Sequence, residues 1–144
     1  MSRTSITTVA IQLICIALLV LTGPVIPREL PALVLMGAGV ALIFWAIASI
    51  GLYNLRVEPE VSKNAKLITW GPFRVIRHPM YSGGILIAAA WIWNDFTALR
   101  VIVGLVLAAN FIVKLHHEER LLAARFPEYG TYMKGTKRLV PFVY

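Results

Sequence analysis

Long apolar runs, separated by short polar stretches, dominate the chain. Two of them, at residues 6–26 and 31–53, are long enough to cross a bilayer, since a full helical crossing needs about 20 apolar residues. Gly23, Pro24 and Pro27 mark the end of the first run, because glycine and proline commonly follow the end of a helix. Each run therefore predicts a membrane-spanning helix.

Two shorter runs follow in the second half of the chain. Residues 81–93 would give a helix of roughly 20 Å at 1.5 Å per residue, less than the roughly 30 Å of hydrocarbon in a bilayer. Residues 99–115 form a longer run, and the polar residues 94–97 between the two indicate a tight turn. The pattern predicts a helical hairpin, with Trp91 and Trp93 as interfacial anchors near its turn.

Composition supports an all-α integral membrane protein with about four hydrophobic helices. Hydrophobic residues make up 58% of the 144 positions, well above the share usual in soluble domains. We expect one membrane domain over residues 1–144, with two transmembrane helices in residues 1–53. The single cysteine, Cys15, lies in an apolar run, which excludes an intrachain disulfide and predicts a small buried side chain.

Basic residues are distributed unevenly along the chain. Of fourteen Lys and Arg residues, five lie between the second and third runs and six at or after the end of the fourth, whereas the opposite loops carry only Arg28 and Arg100. The positive-inside rule then predicts cytoplasmic termini, in the cytoplasmic membrane of a prokaryote. The net charge of +7 favours anionic lipid or an anionic cofactor as partner, not nucleic acid, because the basic residues flank the membrane helices.

Ionisable residues gather at two points, Arg77-His78-Pro79-Met80-Tyr81 and Glu118-Glu119. Proline is tolerated in the first turn of a helix, so Pro79 can begin the third helix, where free N–H groups and the helix dipole favour an anion. Lys114 and Glu118 are four residues apart and share a helix face. Each motif also has a simpler interpretation, as a basic membrane flank or as a solvated helix end.

Several isolated residues have structural interpretations. Gln12 and Asn110 lie within apolar runs and are expected to form interhelical hydrogen bonds. The glycine pairs 37/39 and 83/84 permit close helix packing. His116 and His117 are expected to be interfacial polar residues, and no metal site is predicted, because no cysteine or third histidine completes a ligand set.

Residues 60–144 resemble the isoprenylcysteine carboxyl methyltransferase family and the related phospholipid methyltransferases. The resemblance rests on the run Leu-Ile-Thr-Trp-Gly-Pro-Phe-Arg-Val-Ile-Arg-His-Pro-Met-Tyr at 67–81, the later Glu118-Glu119 pair and Phe-Pro-Glu-Tyr at 126–129. It implies an integral membrane enzyme that transfers a methyl group from S-adenosylmethionine to a lipophilic acceptor. Residues 54–144 would form the catalytic core, with a cytoplasmic-side cofactor pocket made by the middle loop and the C-terminal tail.

The resemblance also implies roles for individual residues. Glu118 and Lys114 would be the catalytic pair near the acceptor. The cofactor would be bound by Lys66, Leu67, Ile68, Phe73, His78, Pro79, Met80 and Tyr81. The chemistry of the residues themselves adds Arg77, for the cofactor's carboxylate, and Glu119, as an acidic acceptor. The family often has tyrosine where this chain has Phe73, so one polar cofactor contact is missing.

Three functions remain open from the sequence. Carboxyl O-methylation of a lipophilic or lipidated small molecule is favoured, with phospholipid N-methylation as its alternative. Both reactions belong to the first function, a membrane methyltransferase. The second function is a non-catalytic membrane scaffold of the same fold, and the third and weakest is a nicotinamide-dependent reductase. The sequence specifies neither the acceptor nor the oligomeric state.

Overall fold

Five α-helices and one short 3-10 turn form the described part of the chain, residues 3–51 and 67–144 of a computed structural model. The elements are α1 (Arg3–Leu21), α2 (Leu30–Ile50), the 3-10 turn (Gly71–Arg74), α3 (Pro79–Asn94), α4 (Ala98–Arg125) and α5 (Tyr129–Gly135). Those two ranges contain no β-strand, only an isolated bridge between Ile76 and Lys137. The all-α prediction is confirmed.

Three helices, α1, α2 and α4, are long and apolar enough to span a membrane. α3 has 16 residues, which gives about 24 Å at 1.5 Å per residue, so the third apolar run is short in the structure as well. Large apolar side chains on the outer surface, such as Phe44 (68% exposed) and Leu105 (66% exposed), have the chemistry of a lipid-facing surface. The chain is a membrane protein.

Helices α2 and α3 pack with their backbones in close approach at two glycines. A Cβ atom built on Gly39 would lie 2.7 Å from the carbonyl oxygen of Gly83, and one built on Gly83 would lie 2.7 Å from that of Gly39. Gly84 faces the ring of Phe111, whereas Gly37 has open space around it. The packing role predicted for the glycine pairs therefore holds for Gly39, Gly83 and Gly84, and not for Gly37.

Helix α1 packs on α4 and is joined to it by polar contacts inside the bundle. Asn110 donates a hydrogen bond to the carbonyl of Thr8 at 3.0 Å, and Lys114 donates to the side-chain oxygen of Gln12 at 2.9 Å. Both interhelical hydrogen bonders predicted from the sequence are thus confirmed. Cys15 is buried in the apolar core of α1, α3 and α4, as predicted.

The predicted tight turn joins α3 to α4. Thr97 caps α4 by accepting the N–H of Arg100, and Trp91 and Trp93 donate their indole N–H groups to Val25 and Glu29 in the loop between α1 and α2. These bonds close one end of the bundle. At the other end, the segment after α5 runs beside residues 75–78, through hydrogen bonds from Arg77 N to Lys137 O and from His78 N to Arg138 O.

The first part of the middle loop, residues 52–66, lies outside the described residues, and Lys66 with it. The predicted contribution of that loop to a pocket therefore stays a prediction, as does the division of the chain near residue 53.

Candidate functional site

The two motifs singled out in the sequence meet at one end of the bundle. The tight turn makes α3 and α4 antiparallel, so the start of α3 lies beside the last third of α4. Residues 77–81 approach from α3, and residues 111–119 approach from α4. The tail after α5 runs beside residues 77–78. Three separate segments of the chain therefore meet at this end of the bundle.

Glu119 forms the centre of a buried ionic cluster. Its Oε1 accepts a hydrogen bond from Arg77 Nε at 2.7 Å, and its Oε2 accepts one from Arg138 Nε at 3.0 Å. The side chains of Arg77 and Glu119 are each 8% exposed. A buried ion is stable only when it is paired and hydrogen-bonded. The pair of Arg77 and Glu119 therefore stabilises the fold, and Arg138, 31% exposed, occupies the second carboxylate oxygen from the surface.

Arg77 also fastens the tail. Its Nη1 donates to the carbonyl of Met133 at 3.2 Å and to the carbonyl of Thr136. These carbonyls lie at the C-terminal end of α5, where backbone oxygens lack helical partners. Among the described residues, the Arg77 side chain donates hydrogen bonds to Glu119 and to the end of α5. Its predicted contact with an anionic ligand stays a prediction.

Glu118 is the more accessible of the two glutamates. Its Oε1 accepts a hydrogen bond from the Tyr81 hydroxyl at 2.5 Å, and its Oε2 lies 3.4 Å from His78 Nδ1. The Glu118 side chain is 21% exposed, against 8% for Glu119. Glu118 is therefore a fixed carboxylate that a ligand can still reach.

His78 lies between the two carboxylates. Its Nε2 is 3.5 Å from Glu119 Oε1 and, although buried, forms no hydrogen bond within the described part of the chain. Burial acts to lower the pKa of His78, but its contacts with Glu118 and Glu119 outweigh burial and raise the pKa above the ordinary value of 6.5. A raised pKa favours the imidazolium form, in which both ring nitrogens are donors.

Aromatic rings line the cluster on the membrane side. The Tyr81 ring stacks on His78, with 5.4 Å between ring centroids, and on Phe111, with 4.9 Å. The ammonium of Lys114 lies 5.5 Å from the centroid of the Tyr81 ring. Lys114 is only 3% exposed, so its amine lies inside the bundle. The Tyr81 ring beside it attracts a cation, as aromatic faces do.

The start of α3 offers fewer backbone donors than its sequence suggested. Pro79 has no N–H, and the N–H groups of Tyr81 and Ser82 both donate to the carbonyl of His78. The predicted anion site at this helix start therefore depends mainly on side chains.

The remaining predicted residues are placed around the cluster or away from it. Pro79 is fully buried at the start of α3. Phe73, in the 3-10 turn, accepts a hydrogen bond at its carbonyl from Tyr132 at 2.6 Å, and burial raises the pKa of Tyr132 to about 12, so that the phenol stays a donor. Among the described residues, no hydrogen bond, ion pair or ring contact joins the side chains of Leu67, Ile68, Phe73 or Met80 to the cluster; their roles stay predictions.

Sequence reasoning missed two members of the cluster. Phe111 could have been found, because it lies three residues before Lys114 and seven before Glu118, the spacing of one helix face. Arg138 gave no such signal, since it belongs to an irregular segment 19 residues from Glu119.

The sequence is similar to parts of known proteins. The chain is similar to the cobalt-zinc-cadmium resistance protein CzcN of Cupriavidus metallidurans, with 29% identity over 97 residues, which are 67% of this chain and 45% of that protein. It is also similar to the nickel-cobalt-cadmium resistance protein NccN of Alcaligenes xylosoxydans xylosoxydans, with 25% identity over 103 residues, 71% of this chain and 48% of that protein. The chain thus spans about half the length of the curated relatives it matches.

A family profile matches a continuous part of the chain of similar length. The phospholipid methyltransferase profile matches residues 28–129, a range that includes α2, α3, α4 and both motifs of the cluster and leaves out α1. The chain therefore belongs to the phospholipid methyltransferase family.

Proposed function

We propose that the chain is a membrane methyltransferase that uses S-adenosylmethionine to methylate a lipophilic acceptor at the cluster of His78, Tyr81, Lys114 and Glu118. One observation carries the proposal. The Glu118 carboxylate is held by the Tyr81 hydroxyl at 2.5 Å, lies beside His78 and remains partly exposed. A fixed, accessible carboxylate of this kind is suited to bind and orient reactants, which is the main task in group transfer.

The residues at the site fit the chemistry of the cofactor. A buried donor, His78 Nε2, makes no hydrogen bond among the described residues and suits the cofactor's carboxylate. The partly exposed Glu118 carboxylate suits the cofactor's cationic ammonium. When bound, the cofactor supplies an electrophilic methyl group on its sulfonium. Leu67, Ile68, Phe73 and Met80, with Lys66, are proposed to line the rest of the cofactor site.

An apolar groove lined in part by α2 and α3 suits the acceptor's hydrocarbon part. The groove has a volume of about 520 Å³, within the range of small-molecule sites, and lies between α2, the 3-10 turn, α3 and the tail. Ser82 lines it directly after Tyr81 in the chain. The other lining residues are nearly all apolar: Leu42, Trp45, Pro72, Val75, Ile76, Ile85, Leu86, Leu139, Val140, Pro141 and Tyr144.

Lys114 and Glu118 are proposed to face the acceptor's reacting group. A carboxylate acceptor is favoured, since it would be attracted by the Lys114 ammonium and needs no base before methylation. A phospholipid amine is the alternative, supported by the family to which the chain belongs. An amine must lose a proton before it is methylated. Glu118, the partly exposed carboxylate of the cluster, is then proposed to accept that proton.

The relatives' names refer to metal resistance. In the described ranges, no group of three or more His, Cys, Asp or Glu side chains is arranged to hold a metal ion. The proposal therefore rests on the cluster of His78, Tyr81, Lys114 and Glu118, and it takes no substrate from those names.

The test uses purified protein in detergent, methyl-labelled S-adenosylmethionine and a total bacterial lipid extract. We expect label to enter the lipid fraction, and the product's behaviour in mild alkali identifies the reaction. A methyl ester releases labelled methanol, whereas an N-methyl group stays on the lipid. Cofactor affinity is measured separately, by calorimetry.

Glu118→Gln is the informative variant, because it keeps the side-chain volume and removes the charge. Loss of a hydrogen bond to a charged group costs about 1.5–3 kcal/mol, so transfer should fall at least tenfold. Glu128→Gln, on an exposed residue before α5, is the matched control and should leave transfer unchanged. Cofactor binding by the wild type without label transfer to any lipid would favour a non-catalytic scaffold; no cofactor binding would refute the proposal.

A further inference from the structure

Helix α1 contributes a polar side chain to the site although it lies outside the family match, which begins at residue 28. The Oε1 atom of Gln12 accepts a hydrogen bond from Lys114 Nζ at 2.9 Å. Gln12 lies within a helix that is long and apolar enough to span a membrane, where a polar side chain is costly and commonly marks a functional contact. We propose that Gln12 is a positioning residue that holds the Lys114 ammonium in place for the acceptor, an inference that rests on the proposed function.

The geometry around Lys114 explains why a hydrogen bond is needed to fix the position of its ammonium. A lysine ammonium sits on a flexible four-carbon stem, and on its α3 side the centroid of the Tyr81 ring lies 5.5 Å away. Tyr81 in turn holds Glu118 through its hydroxyl. A displaced Lys114 would therefore change the surroundings of both residues that the proposal assigns to the acceptor.

The register between α1 and α4 is fixed one helical turn earlier. Asn110 Nδ2 donates to the Thr8 carbonyl at 3.0 Å, and Asn110 and Lys114 lie on the same face of α4. Asn110 bonds to backbone and Gln12 bonds to the ammonium, so the two interhelical contacts are chemically different. The first joins the helices, whereas the second also determines where a charge lies.

The neutral amide is the feature that distinguishes positioning from pairing. A carboxylate at residue 12 would neutralise Lys114 as well as hold it, because opposite charges in contact cancel much of each other's field. The amide oxygen of Gln12 accepts the hydrogen bond and leaves the positive charge in place. Lys114 is thereby able to attract an anionic group on the acceptor.

The test compares Gln12→Leu with Asn110→Leu, two near-isosteric changes that each remove one interhelical hydrogen bond. Three quantities are measured: melting temperature, cofactor Kd, and the apparent KM for total lipid extract in the labelled-methyl assay. We expect Gln12→Leu to raise the acceptor KM at least tenfold while the cofactor Kd stays within twofold. Asn110→Leu should lower the melting temperature and leave both constants within twofold.

An exchange variant separates position from stability. Gln12→Lys combined with Lys114→Gln keeps an amide and an amine in contact but moves the charge to α1. We expect it to melt near the wild-type temperature and to keep the raised KM. Recovery of the wild-type KM in the exchange variant would overturn the inference, and so would a Gln12→Leu variant that only loses thermal stability.

Failure of this inference is distinguishable from failure of the proposed function. If wild-type protein transfers no label, the proposed function is refuted, and the role of Gln12 in it as well. If wild type is active and Gln12→Leu has the same KM, only the role of Gln12 is refuted.

Discussion

Arg77 Nε donates a hydrogen bond to Glu119 Oε1 at 2.7 Å, across 42 positions of the chain. The other oxygen of Glu119 accepts from Arg138, so the start of α3, the end of α4 and the tail meet at one carboxylate. The neighbouring Glu118 contacts Tyr81 and His78 instead. Two adjacent glutamates thus have different tasks: Glu119 joins segments of the fold, and Glu118 remains partly open to a ligand.

Glu119→Gln should destabilise the protein strongly. The substitution removes the charge that compensates Arg77, and an unpaired charge left in a buried position typically costs about 3–5 kcal/mol. We expect a large fall in melting temperature in detergent, together with easier proteolysis of the tail. Glu118→Gln should melt much closer to the wild type, because Glu118 is partly exposed and pairs with no arginine in the described structure. Equal melting temperatures for the two variants would contradict this division of tasks.

The stability contributed by His78 should depend on pH. Its pKa in the folded protein is raised above the ordinary 6.5 by its contacts with the two glutamates, which outweigh burial. A group with a raised folded pKa stabilises fully below its unfolded pKa, and this stabilisation is lost as the pH rises through the folded value. The difference in melting temperature between wild type and His78→Asn should therefore be largest below the unfolded pKa of about 6.5 and shrink as the pH rises above it. His116→Asn, on an exposed residue outside the cluster, is the matched control and should melt near the wild-type temperature.

Much of the fold could be predicted because it follows from local pattern. Short stretches of adjacent residues are enough to identify the helices and their ends. They are the apolar runs, the prolines near the end of α1 and at the start of α3, and the polar turn before Ala98. Boundaries were less certain: the first run reaches residue 26, whereas α1 ends at Leu21. Val25 and Ile26 are apolar, but they lie in the loop that closes the bundle, where Val25 accepts a hydrogen bond from Trp91.

The sequence predicted which residues gather at the site, but not which side chains form hydrogen bonds and ion pairs with each other. The sequence brought Tyr81 and Glu118 to the same end of the hairpin, since antiparallel helices joined by a short turn return to one face. It could not show which glutamate pairs with Arg77, because adjacent residues on a helix point about 100° apart and either could face inward. It also gave no sign of Arg138, whose position depends on the path of an irregular tail.

Gly83→Ala should destabilise the packing of α2 on α3. A Cβ at residue 83 would lie 2.6 Å from the Ile43 side chain and 2.7 Å from the Gly39 carbonyl oxygen, and forcing extra volume into packed helices costs about 1–3 kcal/mol. Gly37→Ala is the matched control on α2, because nothing lies within 4 Å of its Cβ. Alanine is the better helix former by up to about 1 kcal/mol, so the control should keep or raise the melting temperature. A similar loss in both variants would point to glycine flexibility instead of close packing.

The two ends of the α3–α4 hairpin should lie on opposite sides of the membrane. Eleven of the fourteen Lys and Arg residues lie between the second and third apolar runs or at and after the end of the fourth. The positive-inside rule places these segments on the cytoplasmic side, and with them the end of the hairpin that carries the cluster. In a Cys15→Ser background, Lys137→Cys and Phe96→Cys place single thiols on exposed residues at the two ends. A membrane-impermeant maleimide should label position 96 in intact cells and position 137 only in inverted vesicles. Labelling of both positions from one side would overturn the orientation and would place the acceptor site at the wrong face for a cytoplasmic cofactor.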